Sequence, residues 1–436
     1  MIDQTYMKLA IELALRGTGH TSPNPLVGAV IVKNNKIIGQ GYHARYGDLH
    51  AERAALAACT ESPEDATIYV TLEPCCHHGK QPPCTDAILE SGIKRVIVGS
   101  RDPNPLVSGK GARILREHGV EVIEDFMREE CDAINPIFFH YIQTGRPYVT
   151  LKYAMTMDGK IATKTGASRW ITGEKARENV HRDRNRHAAI LVGIGTVLAD
   201  DPLLNCRIEG GKDPVRVICD TKLRIPLDSQ IVRTAKDIPT ILAVGEECLQ
   251  EDLEQVDSTQ ELSIKSASTP AQVTAASATP DHNNPTQADS TPAGASQVAS
   301  DPVNPSPTIE SKSIPSKLTA LQTTGIRILP LPLRDGHLDL DALMEALGKE
   351  KIDSVLIEGG SQIAWSALSA GIVNKIQTYI APKIFGSQKA PGPVGGDGVK
   401  LPAEAFALGA PKIKMLGDDI LIESEVIPCS QVSSKK

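Results

Sequence analysis

Three short segments in the N-terminal part of the chain carry a histidine and two cysteines that the fold has to bring together if they act jointly. The segments are His50-Ala51-Glu52, Pro74-Cys75 and Pro82-Pro83-Cys84. One imidazole and two thiolates leave a tetrahedral zinc ion with an open position for water, whose protons a nearby carboxylate can move. We therefore predict one zinc ion per chain on His50, Cys75 and Cys84. Glu52 would be the catalytic acid and base of a hydrolytic deaminase.

The spacing of the two cysteines separates this pattern from that of the commoner nucleobase deaminases. Eight residues lie between Cys75 and Cys84, whereas two lie between the corresponding cysteines of those enzymes. This difference limits the classes of substrate that the chain is expected to deaminate. Cys76, His77 and His78 share the loop, so Cys75 and His78 could also chelate, although Cys84 restores the deaminase pattern. We expect His50 and Cys75 each to lie at a helix start, where the helix dipole favours a thiolate.

Strand and helix patterns alternate along the chain, which predicts an α/β fold. Glycine and proline in Thr144-Gly145-Arg146-Pro147 predict a boundary between a first domain, 1–146, and a second domain, 147–436. In the first domain the patterns predict helices over 7–15 and 51–59, a hairpin of strands 27–32 and 37–42, and strands 68–72 and 93–98. In the second they predict strands 148–153, 188–192, 215–219, 240–244 and 354–357.

The second pattern is interrupted by a stretch of low complexity, 257–317. It is rich in Ser, Thr, Ala, Pro, Gln and Asn and has no aromatic residue. Such a stretch buries too little apolar surface to offset its ordering entropy, and a long surface loop adds little cost per residue. We predict a disordered insertion in a surface loop. Its sequence does not indicate a binding partner.

Composition excludes several classes of protein. A chain of 436 residues exceeds one ordinary core, so two domains are expected. The net charge of −7 gives no basic footprint for nucleic acid. No signal-peptide pattern and no run of ~20 apolar residues is seen, and nine cysteines suggest reduced thiols. We expect a cytoplasmic homo-oligomer that binds neither nucleic acid nor a membrane.

With these motifs in hand, the chain resembles the bifunctional riboflavin-biosynthesis deaminase/reductases, over nearly its whole length apart from the insertion. Beyond the zinc motifs, the resemblance is carried by Pro23-Asn24-Pro25, Asp102-Pro103-Asn104-Pro105, Met157-Asp158-Gly159-Lys160, Gly193-Ile194-Gly195-Thr196 and Glu358-Gly359-Gly360. It implies a cytidine-deaminase-like α/β/α zinc domain followed by a dihydrofolate-reductase-like α/β domain. The first would deaminate 2,5-diamino-6-ribosylamino-4(3H)-pyrimidinone 5′-phosphate. The second would reduce the ribosyl side chain with NADPH, giving 5-amino-6-ribitylamino-uracil 5′-phosphate.

The resemblance also implies roles for particular residues of this sequence. NADPH would contact Ala154, Trp170, Thr196, Asp200, Gly359, Gly360 and Ser361. The small pyrimidine ribosyl phosphate would contact Ser168, Arg184, Leu204, Arg207 and Glu358 in the second domain, with Lys152 near the hydride-accepting carbon. In the first domain Asn24 would offer its amide to the pyrimidine edge.

Residue chemistry alone leaves these reductase roles open. Arg184 lies in the charged run 181–187, which by default is a solvated helix face, and Lys152 could equally point to solvent from its strand. Asn24 is also an ordinary turn residue. A single Gly-Gly turn is weak evidence, but glycines at two strand ends let backbone amides approach a phosphate. The rivals are a deaminase of another specificity fused to an inactive reductase-like domain, a zinc-stabilised scaffold, and an RNA-editing deaminase, for which the charge and the cysteine spacing are wrong.

Overall fold

The part of the chain that the structure describes has one large β-sheet in each half and a separate two-stranded hairpin. The computed structural model describes residues 3–248 and 316–428. Residues 257–315 of the predicted insertion lie outside that part. The prediction is wrong for the last two residues of 257–317: Ser316 Oγ accepts a hydrogen bond from Thr319 N, and Lys317 begins a helix that buries Leu321 completely.

The N-terminal sheet has five strands in the order β2-β1-β3-β4-β5. Strand β1 is antiparallel to β2 and β3, whereas β3, β4 and β5 run parallel. The strands are β1 Gly28–Lys33, β2 Lys36–Tyr42, β3 Thr67–Leu72, β4 Arg95–Ser100 and β5 Glu121–Ile123. The predicted hairpin is confirmed: Asn34 and Asn35, both at positive φ, make the two-residue turn between β1 and β2.

Helices cover both faces of this sheet, as the predicted α/β/α layering requires. They are α1 Gln4–Leu15, α2 Ala51–Ala57, α3 Cys84–Glu90, α4 Lys110–Glu117, α5 Arg128–Asp132 and α6 Pro136–Thr144. Asp3 caps α1 by accepting a hydrogen bond from Thr5 N at 2.8 Å. Helix α1 packs so closely on β1 that a Cβ on Gly28 would lie 1.9 Å from Ala10 O, so only glycine fits there.

The C-terminal sheet has nine strands in the order β10-β9-β8-β7-β13-β6-β14-β16-β15. The strands from β10 to β14 are parallel, β16 is antiparallel to β14, and the edge strand β15 is antiparallel to β16. Their bounds are β6 Tyr148–Thr156, β7 Ala189–Gly193, β8 Val215–Cys219, β9 Thr240–Gly245, β10 Ile326–Leu331, β13 Ser354–Glu358, β14 Lys375–Ala381, β15 Lys412–Leu416 and β16 Asp419–Glu425. A small hairpin, β11 Leu333–Arg334 and β12 His337–Leu338, lies apart.

Two large apolar cores, one on each face, hold helices against the C-terminal sheet, and a smaller cluster packs the helix 174–186 on it. The helices are α7 Glu174–Arg186, α8 Ile194–Asp200, α9 Gln230–Arg233, α10 Lys317–Thr323, α11 Leu340–Lys349 and α12 Ser361–Ser369. All five predicted strands of this half are present, and β10, β14, β15 and β16 add to them. Parallel strands bring their carboxyl ends to one edge of a sheet, so the residues that follow β7 and β13 meet there.

The two halves join where α6 ends. Gly145, in the left-handed region, follows α6, and β6 begins at Tyr148. The ion pair of Arg146 with Asp341 and the hydrogen bond from Tyr141 Oη to Gly348 O, at 3.1 Å, cross the junction. No helix of the described residues is long and apolar enough to span a membrane.

Candidate active sites

The three predicted zinc ligands converge beside the N-terminal sheet. His50 Nδ1 lies 3.5 Å from Cys75 Sγ and 3.4 Å from Cys84 Sγ. Zinc–nitrogen and zinc–sulfur bonds of ordinary length put two tetrahedral ligand atoms about 3.6 Å apart, so these donors fit a zinc ion. Among the described residues, no other group of three or more metal-ligating side chains has its ligand atoms so close together. Cys76, His77 and His78 lie outside the group.

Local structure explains how the ligands meet. His50 is the N-cap residue of α2, and its imidazole makes no capping hydrogen bond, so it is available to the two sulfurs. Cys75 follows β3, and Cys84 is the first residue of α3. The expectation that Cys75 lies at a helix start is therefore wrong, because Cys84 holds that position and donates its backbone N–H to Cys75 Sγ at 3.4 Å. The hydrogen bond from the Cys84 thiol, with that from His50 as a second contributor, lowers the pKa of the Cys75 thiol.

Arg53 braces the loop that delivers Cys84, a role the sequence did not suggest. Its guanidinium donates to Pro82 O at 3.2 Å and to Pro83 O at 2.8 Å. These two bonds fix the rigid Pro-Pro segment against α2, the helix that begins beside His50. The long cysteine loop is thereby tied to the helix of the histidine ligand.

Glu52 lies in the first turn of α2, 3% exposed, and contacts the Cys84 thiol. Burial, with the Cys75 charge as a second cause, raises the pKa of Glu52 to about 7. It lines a cavity of about 290 Å³ together with His50, Cys75 and Asn24. The predicted catalytic acid and base thus faces the same space as two of the predicted metal ligands.

His43 fixes the orientation of Asn24 in this cavity. His43 Nδ1 lies 3.0 Å from Leu49 O, and a carbonyl only accepts, so the ring donates there. His43 Nε2 then accepts from Asn24 Nδ2 at 3.2 Å, which leaves the amide oxygen of Asn24 for a ligand. Burial lowers the pKa of His43, which favours this neutral form.

Several further residues line the cavity that the sequence reasoning did not assign: His43, Tyr46, His77, Lys80, Asp102 and Asn104. Burial raises the pKa of Asp102 to about 6. A signal was present, since Asp102 and Asn104 follow β4, whose parallel neighbour β3 leads to Cys75. Residues after adjacent parallel strands meet at one sheet edge.

A larger cavity, about 540 Å³, opens at the carboxyl edge of the C-terminal sheet. Most of the residues predicted for the reductase line it. For the cofactor these are Ala154, Thr196, Asp200, Gly359, Gly360 and Ser361, and for the substrate Lys152, Ser168, Arg184, Leu204 and Glu358. Trp170 and Arg207 do not line it: the Trp170 ring is 60% exposed, and Arg207 donates to His181 Nε2 at 3.1 and 3.0 Å.

Two glycine turns form one wall of this cavity. Gly193 precedes α8 and Gly360 precedes α12, so both turns lead into a helix N-terminus. Gly359 and Gly360 have φ of +79° and +76°, and a Cβ on Gly359 would lie 3.3 Å from Thr196 Oγ1. Backbone amides at such a place can approach a phosphate closely, so the donor set fits a dinucleotide.

Charged side chains form a buried cluster at the centre of the cavity. Arg184 binds Glu358 through Nε at 2.7 Å and Nη2 at 2.9 Å, and Lys152 Nζ lies 4.0 Å from the same carboxylate. The three side chains are only 10–14% exposed. The default view of Arg184 as part of a solvated helix face is therefore wrong, and Lys152 does not point to solvent.

The positive charges of Arg184 and Lys152 lie beside the negative charge of Glu358 in this cluster. Burial alone would raise the pKa of Glu358, but the Arg184 charge and hydrogen bonds hold it at about 2. Burial lowers the pKa of Lys152. Burial also raises the pKa of Asp183, which accepts a hydrogen bond from Tyr379 Oη at 3.1 Å, to about 6. The sequence did not indicate Asp183 or Tyr379.

Comparison with known proteins finds both halves in established families. The model described as "Cytidine and deoxycytidylate deaminase zinc-binding region" matches residues 1–100, and "RibD C-terminal domain" matches 147–280 and 286–422. "Riboflavin biosynthesis protein RibD" of Actinobacillus pleuropneumoniae is 45% identical over 427 residues, which cover 98% of this chain and 96% of that protein. The protein of the same name from Escherichia coli K12 is 35% identical, with 97% and 99% covered.

Solved structures agree over the full length. A diaminohydroxyphosphoribosylaminopyrimidine deaminase/5-amino-6-(5-phosphoribosylamino)uracil reductase from Thermotoga maritima superposes with a TM-score of 0.72, at 34% identity and 98% coverage of both chains. A form of RibD from Acinetobacter baumannii gives 0.73 at 30% identity, covering 97% of this chain and 98% of that one. These matches confirm the predicted fold class and the family resemblance. The chain belongs to the riboflavin biosynthesis protein RibD family.

Proposed function

We propose that this chain carries out two successive reactions of riboflavin biosynthesis. Its residues 1–146 would deaminate the pyrimidine ring of 2,5-diamino-6-ribosylamino-4(3H)-pyrimidinone 5′-phosphate. Its residues 147–436 would then reduce the ribosyl side chain to ribityl with NADPH. The observation that carries the proposal is the convergence of His50, Cys75 and Cys84 beside buried Glu52, in a chain matched by RibD proteins from end to end.

For the deamination, one zinc ion per chain, held by His50, Cys75 and Cys84, would supply a water that ionises near neutral pH. Glu52 would take a proton from the attacking water and deliver it to the departing amine, which leaves as ammonia. Asn24, oriented by His43, would accept a hydrogen bond from the pyrimidine edge through its amide oxygen. The cavity of about 290 Å³ suits a small ligand rather than a polynucleotide.

For the reduction, NADPH would supply a hydride and would be held by the two glycine turns with Ala154, Trp170, Thr196, Asp200 and Ser361. Lys152 would stand beside the hydride-accepting carbon, C1′ of the opened sugar. Its position 4.0 Å from the Glu358 carboxylate and its burial support this role.

The substrate of the second reaction would be held by Ser168, Arg184, Leu204, Arg207 and Glu358. Arg184 donates three of its five N–H groups to Glu358 and Asn205 O, so two remain for a phosphate oxygen. Arg207 is exposed outside the cavity, so we propose that it meets the phosphate at the rim. A guanidinium suits this task because it binds phosphate oxygens through paired N–H groups.

The test measures ammonia release and NADPH oxidation together, with the zinc-loaded protein and the undeaminated diaminopyrimidine ribosyl phosphate as sole substrate. We expect matched amounts of both products. Glu52→Gln should keep its zinc and lose both signals by at least about 10²-fold, while it still oxidises NADPH when given the deaminated substrate. Ammonia without oxidation would refute the reductase assignment, and neither signal would refute the whole proposal.

The same two measurements, on the wild type and on Glu52→Gln, separate the rivals. A zinc-stabilised scaffold would lose no measurable activity with Glu52→Gln, because it has none to lose. A deaminase fused to an inactive reductase-like domain would never consume NADPH. A homo-oligomeric state and a cytoplasmic location also remain our predictions, to be tested by light scattering and by cell fractionation.

A further inference from the structure

Two loops cross over the reductase cavity and are joined to each other. The strap, 157–172, leads from β6 towards α7, and the C-terminal loop, 382–393, follows β14. Neither contains a helix or strand. The strap contributes Ile161, Ala162, Gly166, Ser168 and Arg169 to the cavity lining, and the C-terminal loop contributes Pro391 and Pro393. The strap also carries Trp170, so its placement decides where two of the proposed ligand-binding side chains lie.

Asp158 joins the base of the strap to the C-terminal loop. Its carboxylate accepts hydrogen bonds from Thr156 Oγ1 at 2.5 Å, Phe385 N at 3.1 Å and Gly386 N at 2.7 Å. The hydrogen bond from Thr156, with those from the two backbone amides, lowers the pKa of Asp158 to about 2. Asp158 belongs to the Met157-Asp158-Gly159-Lys160 motif, which the two proposed reactions leave without a role.

Lys383 fastens both ends of the strap. Its backbone carbonyl accepts from Met157 N at 2.9 Å, at the start of the strap. Its Nζ donates to Trp170 O at 2.8 Å and Ile171 O at 2.6 Å, near the end of the strap. Lys383 of the C-terminal loop thus binds both the beginning and the end of the strap.

The strap is also attached between its ends, where Ile161 N donates to Pro391 O of the C-terminal loop at 3.0 Å. Ser168 Oγ donates to Asp200 Oδ1 at 3.4 Å and Arg169 Nη2 to Asp200 O at 2.8 Å, both in exposed positions. The strap is therefore joined to the C-terminal loop at both ends and at Ile161, and to Asp200 of α8 through Ser168 and Arg169.

We propose that Asp158 and Lys383 are positioning residues for the dinucleotide. Neither lines the cavity. They hold the strap, and with it Ser168 in the cavity lining and the neighbouring Trp170 beside the cavity. This inference rests on the proposed reductase function. It implies that the affinity for NADPH depends in part on residues that do not contact the nucleotide.

The test compares Asp158→Asn and Lys383→Met with the intact zinc-loaded enzyme. Asparagine puts an NH₂ group opposite backbone N–H donors, and methionine keeps the aliphatic stem without the ammonium. For each variant we expect the KM for NADPH and its Kd, from titration of nucleotide fluorescence, to rise about tenfold. We expect kcat to change less than threefold. Ammonia release in the same samples should not change, because the first cavity lies beside the other sheet.

Matched controls and a second readout separate positioning from a general loss of structure. Lys389→Met makes the same chemical change at an exposed site of the C-terminal loop, and Asp397→Asn does so just beyond it; both should behave as wild type. Trypsin should cut the strap at Lys160, Lys164 or Arg169 faster in the two test variants, and NADPH should protect the wild type.

Each outcome decides one claim. If wild type binds NADPH and both test variants bind it within twofold as tightly, the positioning role is refuted and the reductase proposal stands. If the controls weaken binding as much as the test variants, the positioning role is also refuted. If wild type itself binds no NADPH, the reductase proposal fails and this inference fails with it.

Discussion

Replacing Glu358 by glutamine should destabilise the C-terminal half by about 3 kcal/mol at pH 7. Glu358 receives two hydrogen bonds from Arg184, and its side chain is 10% exposed. Its pKa falls from 4.5 to about 2 in the folded chain. That difference corresponds to about 3 kcal/mol. Removing one partner of a buried ion pair costs about 3–5 kcal/mol, and glutamine, which can still accept one hydrogen bond, belongs at the lower end.

The sign of the pH dependence follows from the lowered pKa. The ionised carboxylate stabilises the folded state at every pH above 4.5, where the unfolded chain is also ionised. This contribution is lost as the pH falls from 4.5 towards 2. The stability difference between wild type and Glu358→Gln should therefore be constant from pH 7 to about 5 and shrink below that.

Tryptophan fluorescence gives a selective assay, because both tryptophans of the chain, Trp170 and Trp365, lie in the C-terminal half. Urea unfolding followed at these residues reports that half, and ammonia release reports the other. Glu425→Gln, at an exposed site of β16, is the matched control and should change the unfolding free energy by less than about 0.5 kcal/mol.

A double-mutant cycle isolates the pair. Arg184→Met with Glu358→Gln should be less destabilising than the two single changes added together, because the single changes each leave an uncompensated charge or acceptor. The reasoning is refuted if Glu358→Gln costs less than about 1 kcal/mol at pH 7. It is also refuted if the double variant shows simple additivity.

Three further predictions follow from other buried groups. Cys84→Ser should lose zinc, measured by metal analysis, and ammonia release, yet still oxidise NADPH with the deaminated substrate. Burial lowers the pKa of His187 to about 4, so the unfolding free energy of the wild type relative to that of His187→Gln should fall by about 3 kcal/mol between pH 6.5 and 4, measured by urea unfolding of both proteins at each pH. Arg216→Met should cost at least about 3 kcal/mol by the same assay, since it strips hydrogen bonds from three buried carbonyls and two threonine hydroxyls; a cost below 1 kcal/mol would contradict this.

The grouping of His50, Cys75 and Cys84 could be predicted from the sequence because its chemistry is local. His50, Cys75 and Cys84 are residue types with few ordinary roles in combination, and short apolar runs fixed the strands that lead to them. The role of Arg53 could not be predicted from the sequence. Its hydrogen bonds go to the backbone oxygens Pro82 O and Pro83 O, and any residue type offers a backbone oxygen.

The strands β14, β15 and β16 were missed for a related reason. Strand β14 reads Lys-Ile-Gln-Thr-Tyr-Ile-Ala, and its buried Gln377 donates to Glu423 of β16 at 3.0 Å. A polar residue in a central strand is tolerated only when a neighbouring strand supplies its partner. That partner lies 46 residues away, so no local window of sequence contains both.

Helix α7 shows how a charged run can indicate burial rather than exposure. A helix turns once in 3.6 residues, so the six polar residues 181–186 cover every face of it. A helix that packs on a sheet must then bury some of them, and α7 buries only Ala176 and Val180 as apolar contacts. Arg184 binds Glu358, which is 174 residues away, and Asp183 accepts a hydrogen bond from Tyr379, which is 196 residues away. An uninterrupted polar run on a helix between two buried strands therefore predicts a buried network with distant partners, and at such a place a ligand-binding site is the first hypothesis to test.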